Sequence, residues 1–456
     1  MKLGSATLAV LLLAALASRA DAQEVGAATA PEVRDEPTLR AELAQQRAVL
    51  ERLERREAER TEAERARQQL ALQVSGYVQF DWVISNQASQ NEINYSTGVP
   101  LNQDRFLLRR GHLRVATERG YLSGALEIDA NTNHGAQLRA INAELGVHWP
   151  AQEDARLPRF SLTAGLIRIP FGFEVRERDS VRPFLERSTA ARAFFPSEFD
   201  LGARFHAKYR FLETSIAVMN GHPLGDRVFP ALAPDQKKEI VGHLGVDAEI
   251  APGVLIAAGI SADTGSGFHQ GSSTSKDRLV WRDDNGDGIV QATEVQVIAG
   301  SSATPSEPFH RFALGADARL GLQFGEYASF ELRAEVVRAS NLDRGLEVAD
   351  PVAAGHDLRE LGWYLGATQE LTRWGLVGVR YDHYDPDQDA RERQAVQVVP
   401  RDRSYRTLSL MAMFRYGDAR LTLQYDRNRN ALGRGVDGVP TSLASDALTA
   451  RAQLRF

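Results

Sequence analysis

Apolar and polar residues alternate with a period of two through most of the chain from Gln73 to the C-terminus. In residues 73–85, for example, Val78, Phe80 and Trp82 are separated by single polar residues. Successive side chains of a β-strand point to opposite faces, so this spacing predicts strands with one apolar and one polar face. Sixteen strands are predicted, at residues 73–85, 107–118, 121–131, 140–149, 160–169, 201–210, 212–220, 239–250, 254–262, 311–323, 327–339, 357–370, 375–385, 404–416, 420–428 and 446–456.

Short and long connections alternate between these strands. Connections after even-numbered strands are mostly tight, as at residues 119–120, whereas those after odd-numbered strands are mostly long, as at 170–200 and 263–310. One rim of short turns and one rim of long loops is typical of outer-membrane barrels, and closure removes strand edges that lipid cannot hydrate. We therefore predict an all-β protein, a 16-stranded antiparallel transmembrane β-barrel at residues 74–456. Its apolar faces would contact lipid, as with Ile141 and Leu145 of the fourth strand.

The first 22 residues have the three parts of a secretory signal peptide. Lys2 supplies the positive charge, residues 6–17 form an apolar core too short to span a bilayer, and Ala20-Asp21-Ala22 is a cleavage motif. Export agrees with a location in the bacterial outer membrane. The chain has no cysteine, which excludes a disulfide framework and a cysteine metal site. Its formal charge of −6 and scattered basic residues argue against binding to nucleic acid.

Two segments separate the signal peptide from the barrel. Residues 23–36 are rich in Ala, Pro and Glu and are predicted to be a disordered linker. Residues 37–73 are predicted to form a periplasmic helix, with leucines near a heptad spacing and many Glu/Arg pairs four residues apart. This segment is either a lone charged helix or a short coiled coil of an oligomer. It would also serve as a contact to the cell wall or to a periplasmic partner.

A calcium-binding motif occurs in the fifth long connection. Residues 283–294, DDNGDGIVQATE, match the pattern D-x-N-x-D-G-x₅-E at every position. The predicted ligands are Asp283, Asn285, Asp287, Ile289 through its carbonyl, Gln291 and Glu294. The flanking residues alternate like strands, so we expect a calcium loop without the two helices of an EF-hand. The ion, Ca²⁺, would order this external loop; an acidic hairpin tip without metal is the alternative.

Several segments together resemble the phosphate-selective porin O and P family. They are FLLRRG (106–111), GLIRIPFG (165–172), FLERS (184–188), DLG (200–202), VMNG (218–221), GWY (362–364) and VRYD (379–382). Each segment is short, but their order along residues 76–456 is specific. The resemblance implies a trimeric sixteen-stranded porin in outer-membrane lipid, with the third long loop folded into the lumen. Phe456 resembles the terminal residue that barrel-assembly machinery reads.

This resemblance and the strand alternation together predict the pore-lining residues. The predicted pore-lining residues are basic side chains of the second, fifth and sixth strands and of the third loop: Arg110, His112, Arg114, Arg168, Arg176, Arg178, Arg182, Arg204, His206, Lys208 and Arg210. Family members that select phosphate use lysines in the constriction, whereas residues 171–199 contain no lysine and mix arginines with acidic residues. We therefore predict passive diffusion of small hydrophilic solutes with a preference for anions, whether phosphate, another small anion or a carboxylate.

Two other functions are compatible with a barrel. A structural barrel would tether the envelope through residues 37–73 and have a plugged lumen. An outer-membrane barrel enzyme would need a set of catalytic side chains at its rim. No nucleophilic triad, phosphate-binding glycine loop or zinc spacing is evident in the sequence, so we predict that the protein is not an enzyme.

Overall fold

The computed structural model is a closed barrel of sixteen antiparallel strands. It describes residues 72–85, 104–133, 135–150, 157–223, 237–325, 328–394, 396–430, 433–434, 440–442 and 445–456. The predicted signal peptide, linker and helix, apart from Gln73 and its neighbour Leu72, lie outside these residues. Gln73 is the first residue of a strand. Among the described residues, no helix is long and apolar enough to cross a membrane.

Every predicted strand is present, which confirms the sixteen-stranded barrel. The barrel strands are β1 (Gln73–Ser85), β2 (Asp104–Arg119), β3 (Leu122–Asn131), β4 (Gln137–Trp149), β5 (Arg159–Arg168), β6 (Phe199–Tyr209), β7 (Leu212–Met219), β8 (Glu239–Ala251), β9 (Val254–His269), β12 (Glu307–Gln323), β13 (Ser329–Ser340), β14 (Arg359–Glu370), β15 (Gly375–Asp385), β18 (Tyr405–Tyr416), β19 (Ala419–Arg429) and β22 (Ala447–Arg455). Three hairpins lie in connections: β10 (Arg278–Trp281) with β11 (Val295–Ile298), β16 (Arg391–Gln394) with β17 (Gln397–Pro400), and β20 (Gly433–Arg434) with β21 (Pro440–Thr441). Two short helices also lie in connections, α1 (Thr189–Phe194) and α2 (Pro351–Ala354).

The barrel closes where the first strand meets the last. β1 pairs antiparallel with β22 from Tyr77↔Arg455 to Ser85↔Ala447. Gly76 and Phe456 extend this pairing, because each donates its backbone N–H to the carbonyl of the other, at 2.9 and 3.0 Å. A Cβ atom on Gly76 would lie 2.6 Å from the Phe456 ring, so the close approach of the terminal ring requires glycine.

One residue of the predicted lipid face points into the barrel instead. Residue pairing between β3 and β4 shifts between Glu127 and Ile128, which leaves Ile141 as an extra residue in β4. A bulge of this kind changes the face on which the following side chains lie. Ile141 is therefore buried inside, in a cluster with Leu166 and Phe199, whereas Leu145 of the same strand is exposed on the outer face as predicted.

The predicted loop 263–310 is largely an antiparallel arm. β9 runs on to His269 and β12 begins at Glu307, so the two strands pair beyond the expected ends of the barrel wall. Thr304 donates its backbone N–H to the carbonyl of Ser272 at 2.9 Å, and the β10–β11 hairpin follows. The prediction placed a loop here because serine, threonine and glycine interrupt the apolar alternation. These residues pair through backbone groups and need no apolar face.

Candidate solute pathway

Residues 169–198, which we call loop 3, fold into the lumen and pack against one side of the wall. The apolar cluster inside the barrel joins loop 3 and α1 to side chains from β7, β8, β12, β13 and β15. Its fully or nearly buried members include Phe171, Val175, Ala193, Phe194, Phe195, Met219, Val241, Val337 and Tyr384. A water-filled wall needs polar side chains. The apolar residues on the inward faces of these strands therefore mark the side of the lumen that loop 3 fills.

Hydrogen bonds to the wall fix the start of loop 3. Gly172 donates its N–H to Ser261 Oγ at 2.9 Å, and Phe173 and Glu174 donate theirs to Glu335 Oε2 at 3.1 and 3.2 Å. Gly172 has φ +57, and a Cβ atom there would collide with the Glu335 carboxylate. Gly172, the last residue of GLIRIPFG, is therefore required both by its positive φ angle and by the lack of room for a Cβ atom beside Glu335.

A second set of contacts holds the start of α1. Arg380 Nη1 of β15 donates to Glu174 Oε1 at 3.1 Å, and the other oxygen of Glu174 accepts the N–H of Ser188 at 2.8 Å. The Ser188 hydroxyl accepts the N–H of Ala191 at 3.3 Å, which caps the helix. Glu174 thus connects the beginning of loop 3, its helix and the barrel wall.

The part of loop 3 around Glu186 crosses the lumen to the strands near the closure of the barrel. Glu186 accepts hydrogen bonds from Arg109 Nε at 2.8 Å, Arg110 Nη2 at 3.0 Å and Arg451 Nη2 at 2.8 Å. Arg451 also donates to the carbonyl of Leu185 at 2.7 Å, and Leu185 donates its N–H to Gln424 Oε1 at 2.9 Å. Loop 3 therefore spans the lumen from β13 to β2 and β22.

A second loop, residues 341–358, covers the filled side of the lumen and is called loop 6. Arg344 and Gly345 donate their backbone N–H groups to the carbonyl of Ala193, each at 2.9 Å. Tyr384 donates its hydroxyl to Asp343 Oδ2 at 2.7 Å, beneath this contact. With α1 below and loop 6 above, the half of the lumen beside β7–β15 is packed with protein.

Cavities remain on the opposite side, beside β1–β4. An outer cavity of about 370 Å³ includes Arg109, Asp129 and Arg192 in its lining. An inner cavity of about 240 Å³ includes Tyr77, Arg168 and Arg178. His112 and Asp179 line both cavities. The two residues therefore stand at the neck between the outer and inner spaces. A further outer cavity of about 280 Å³ lies toward β19 and β22.

The neck consists of paired charges. Arg110 Nε lies 2.9 Å from Asp179 Oδ2. His112 Nδ1 lies 2.8 Å from the Tyr77 hydroxyl and 2.9 Å from Glu127 Oε1. Burial would raise the pKa of Asp179, but the guanidiniums of Arg110 and Arg182 hold that pKa far below its ordinary value. Asp179 therefore carries its negative charge at the neck throughout the physiological pH range.

The predicted pore-lining residues lie in four places. Arg110, His112, Arg114, Arg168 and Arg178 line the cavities. Arg176 and Arg182 belong to loop 3: Arg176 lies 3.4 Å from Glu213, and Arg182 is buried within the loop at 2.5 Å from Asp179. Arg204, His206 and Lys208 lie on β6, and Arg204 donates to the carbonyl of Arg168 at 3.1 Å. Arg210 has φ +52 in the following turn and its guanidinium lies over the Tyr209 ring.

Arg109 is an important residue that the alternation missed. Gln79 pairs with Arg110 and Phe80 pairs with Leu108, so Arg109 is the extra residue of a bulge in β2. Both Arg109 and Arg110 consequently reach the carboxylate of Glu186 inside the barrel. The pair of adjacent arginines in FLLRRG was the available signal, because strict alternation would place one of them against lipid.

The calcium motif forms a closed turn at the tip of the outer arm. Asp283 accepts the N–H groups of Gly286 at 2.7 Å and Gly288 at 2.8 Å, and Glu294 accepts that of Asp284 at 3.1 Å. Gly286 and Gly288 have φ +71 and +74, which suits the sharp turn of the motif. Within the described residues, no group of three or more His, Asp or Glu side chains is placed to hold a metal.

Several solved structures of outer-membrane proteins align with the chain. The outer membrane channel DcaP of Acinetobacter baumannii aligns with a TM-score of 0.50 and 11% identity, over 85% of this chain and 97% of that chain. An anion-selective porin from Comamonas acidovorans gives 0.48 and 11%, over 85% and 99%. The trimer form of OmpT, an outer membrane protein of Vibrio cholerae, gives 0.47 and 8%, over 85% and 99%.

No family model and no curated protein sequence matches the chain. The similarity to DcaP supports the fold alone, that of a closed β-barrel of the outer-membrane type. This fold agrees with the predicted location in the bacterial outer membrane.

Proposed function

We propose that the protein is an outer-membrane porin through which small hydrophilic solutes diffuse passively. The observation that carries this proposal is the pair of cavities that meet at His112 and Asp179. Loop 3 and loop 6 fill one side of the barrel, and the remaining space on the other side runs past polar and charged side chains. A passage that is narrow and polar admits small hydrated solutes and excludes large or apolar ones.

The charges of the inner cavity favour anions. Arg114, Arg168, Arg178 and Arg455 line it, against Glu127 and Asp179. Arg178 is exposed and has no ion-pair partner among the described residues. In a narrow passage whose protein walls have a low dielectric constant, an excess of fixed positive charge raises the local concentration of anions. Phosphate, other small anions and carboxylates all fit this description.

Reconstitution into planar bilayers tests both parts of the proposal. The purified protein should give discrete single-channel steps, and its zero-current potential in a KCl gradient should have the sign of an anion-selective pore. Arg178→Gln should lower that selectivity, whereas Arg282→Gln on the exposed outer arm should leave it unchanged. Absence of conductance steps would favour the tethering barrel, and lipid or peptide hydrolysis would favour the barrel enzyme. A cation-selective wild type would overturn the anion preference alone.

The assembly is proposed to be a homotrimer in outer-membrane lipid. The resemblance of the sequence segments supports it, and OmpT of Vibrio cholerae was solved in a trimer form. Mass measurement in detergent by light scattering should give three copies of the chain. A single copy would remove the proposed trimer and leave the conduction proposal intact.

A further inference from the structure

A carboxylate of the protein itself occupies a cradle of three guanidiniums in the outer half of the lumen. Glu186 is bound by Arg109 through Nε and Nη2 at 2.8 and 3.0 Å, by Arg110 through Nη1 and Nη2 at 3.2 and 3.0 Å, and by Arg451 through Nη2 at 2.8 Å. Such paired N–H donors match the two oxygens of a carboxylate. We propose that this cradle is a carboxylate-binding site of the channel and that Glu186 is its internal competitor.

The cradle is accessible from both outer cavities. Arg109 and Glu186 line the cavity of about 370 Å³ and also the cavity of about 280 Å³. Their side chains are each 27% exposed, whereas that of Arg451 is only 6% exposed. A solute in either cavity therefore meets the Arg109 fork and the Glu186 carboxylate first, with the more buried guanidiniums behind them.

The other ion pairs of the three arginines indicate that an incoming carboxylate binds first to Arg109. Arg110 also pairs with Asp179 at 2.9 Å, and Arg451 also pairs with Asp81 at 2.7 Å. Among the described residues, Arg109 has only Glu186 as an ion-pair partner. When the Glu186 side chain swings away, Arg109 alone loses its counter-charge. An incoming carboxylate restores that charge, so the exchange conserves the total charge of the cradle.

Loop 3 does not have to leave the wall for this exchange. The backbone of Leu185, next to Glu186, is held separately by Arg451 Nη1 at 2.7 Å and Gln424 at 2.9 Å. Rotation of the Glu186 side chain is therefore enough to open the cradle. Neutral solutes do not bind in this way, because they cannot replace the negative charge that leaves the cradle with the Glu186 side chain. The inference rests on the proposed channel function and defines its solute class as carboxylates.

Inhibition of the chloride current by benzoate in planar bilayers tests the inference. Glu186→Gln removes the competing charge with little change in shape, and we expect benzoate to inhibit this variant at a concentration at least threefold lower than the wild type. The matched control is Glu177→Gln, which removes a loop 3 carboxylate that pairs with Arg333 at 2.8 Å. This control should retain the wild-type sensitivity to benzoate.

A second variant keeps the test decisive if Glu186→Gln does not fold. Arg109→Gln in the otherwise wild-type protein should raise the inhibitory concentration of benzoate at least threefold. Unchanged benzoate inhibition in Arg109→Gln, or in a conducting Glu186→Gln, would overturn the cradle. Stronger inhibition by inorganic phosphate than by benzoate in the Glu186→Gln variant would overturn the assignment to carboxylates. A wild type without conductance would instead contradict the proposed function, so the two failures are distinct.

Discussion

Arg451 of the last strand donates from Nε and Nη2 to both carboxylate oxygens of Asp81 in the first strand, at 2.7 and 2.8 Å. Both side chains are buried in the lumen, where the same guanidinium also supports loop 3. Removing Asp81 would leave Arg451 with only the Glu186 carboxylate, which Arg109 and Arg110 share. The loss of a buried counter-charge costs more than the ion pair itself contributes.

Asp81→Asn should therefore lower the free energy of unfolding by about 3 kcal/mol. Urea unfolding in lipid vesicles measures this change. The control is Asp418→Asn, where the carboxylate is exposed and lies 3.8 Å from Arg455 near the same seam. That substitution should cost less than about 1 kcal/mol. Equal stability of Asp81→Asn and wild type would show that the pair does not strengthen the closure.

Helix α1 lies so close to β14 that only a glycine fits at position 362. A Cβ atom on Gly362 would overlap the Cβ of Ala190. Gly362→Val should displace α1 from the wall and expose loop 3 to protease. The double variant Gly362→Ala with Ala190→Gly should stay protected from protease. It moves the methyl group from position 190 to position 362, so the space between α1 and β14 still holds one methyl group. Persistent cleavage in the double variant would mean that another contact holds the helix.

The docking of loop 3 should resist acid. Burial would raise the pKa of Glu186, but Arg109, Arg110 and Arg451 hold that pKa well below its ordinary value. A carboxyl with a lowered folded-state pKa contributes stability above its unfolded pKa of about 4.3 and loses that stability as the pH falls through the lower folded value. The contribution of Glu186 to the protease resistance of loop 3, measured as the difference between the wild type and Glu186→Gln, should stay constant from pH 8 to about 5 and decline only well below 4. A loss centred between pH 5 and 6 would contradict these ion pairs.

The acidic turn of the outer arm should respond to calcium. We propose that Ca²⁺ draws the carboxylates of residues 283–294 together and orders the tip, with the modest affinity of extracellular sites, on the order of 10⁻⁴–10⁻³ M. Millimolar Ca²⁺ should slow proteolysis of the arm in the wild type and have no effect in Asp283→Ala with Glu294→Ala. Cleavage of the wild type at the same rate with and without Ca²⁺ would remove the site.

Alternation and connection length were sufficient to predict the barrel. Both properties can be read directly along the sequence, without knowing which distant residues are in contact. The alternation of apolar and polar residues is visible in every strand. The bulges at Arg109 and Ile141 were not predictable in this way, because a bulge changes the pairing of two strands without changing the composition of either. The resemblance placed loop 3 in the lumen, but Glu186 as a common partner of β2 and β22 depends on residues far apart in the chain.

The inner faces of the strands held a further clue. Met219 and Val337 point into the lumen, where a water-filled pore favours polar residues. Such inward apolar residues mark the side that a loop covers. Alternation alone does not show which apolar residues point inward, and the pattern of one strand does not indicate which loop packs against it.

Cysteine accessibility most directly tests the claim that the solute path follows β1–β4 while the opposite side is filled. The native chain has no cysteine, so each introduced thiol is unique. A negatively charged thiosulfonate reagent should lower the single-channel conductance of Asn133→Cys in the outer cavity and of Ser180→Cys in the inner cavity. It should leave unchanged that of Ser261→Cys, which is buried against Gly172 of loop 3. Rapid block of Ser261→Cys, with Asn133→Cys and Ser180→Cys unaffected, would contradict the proposed path.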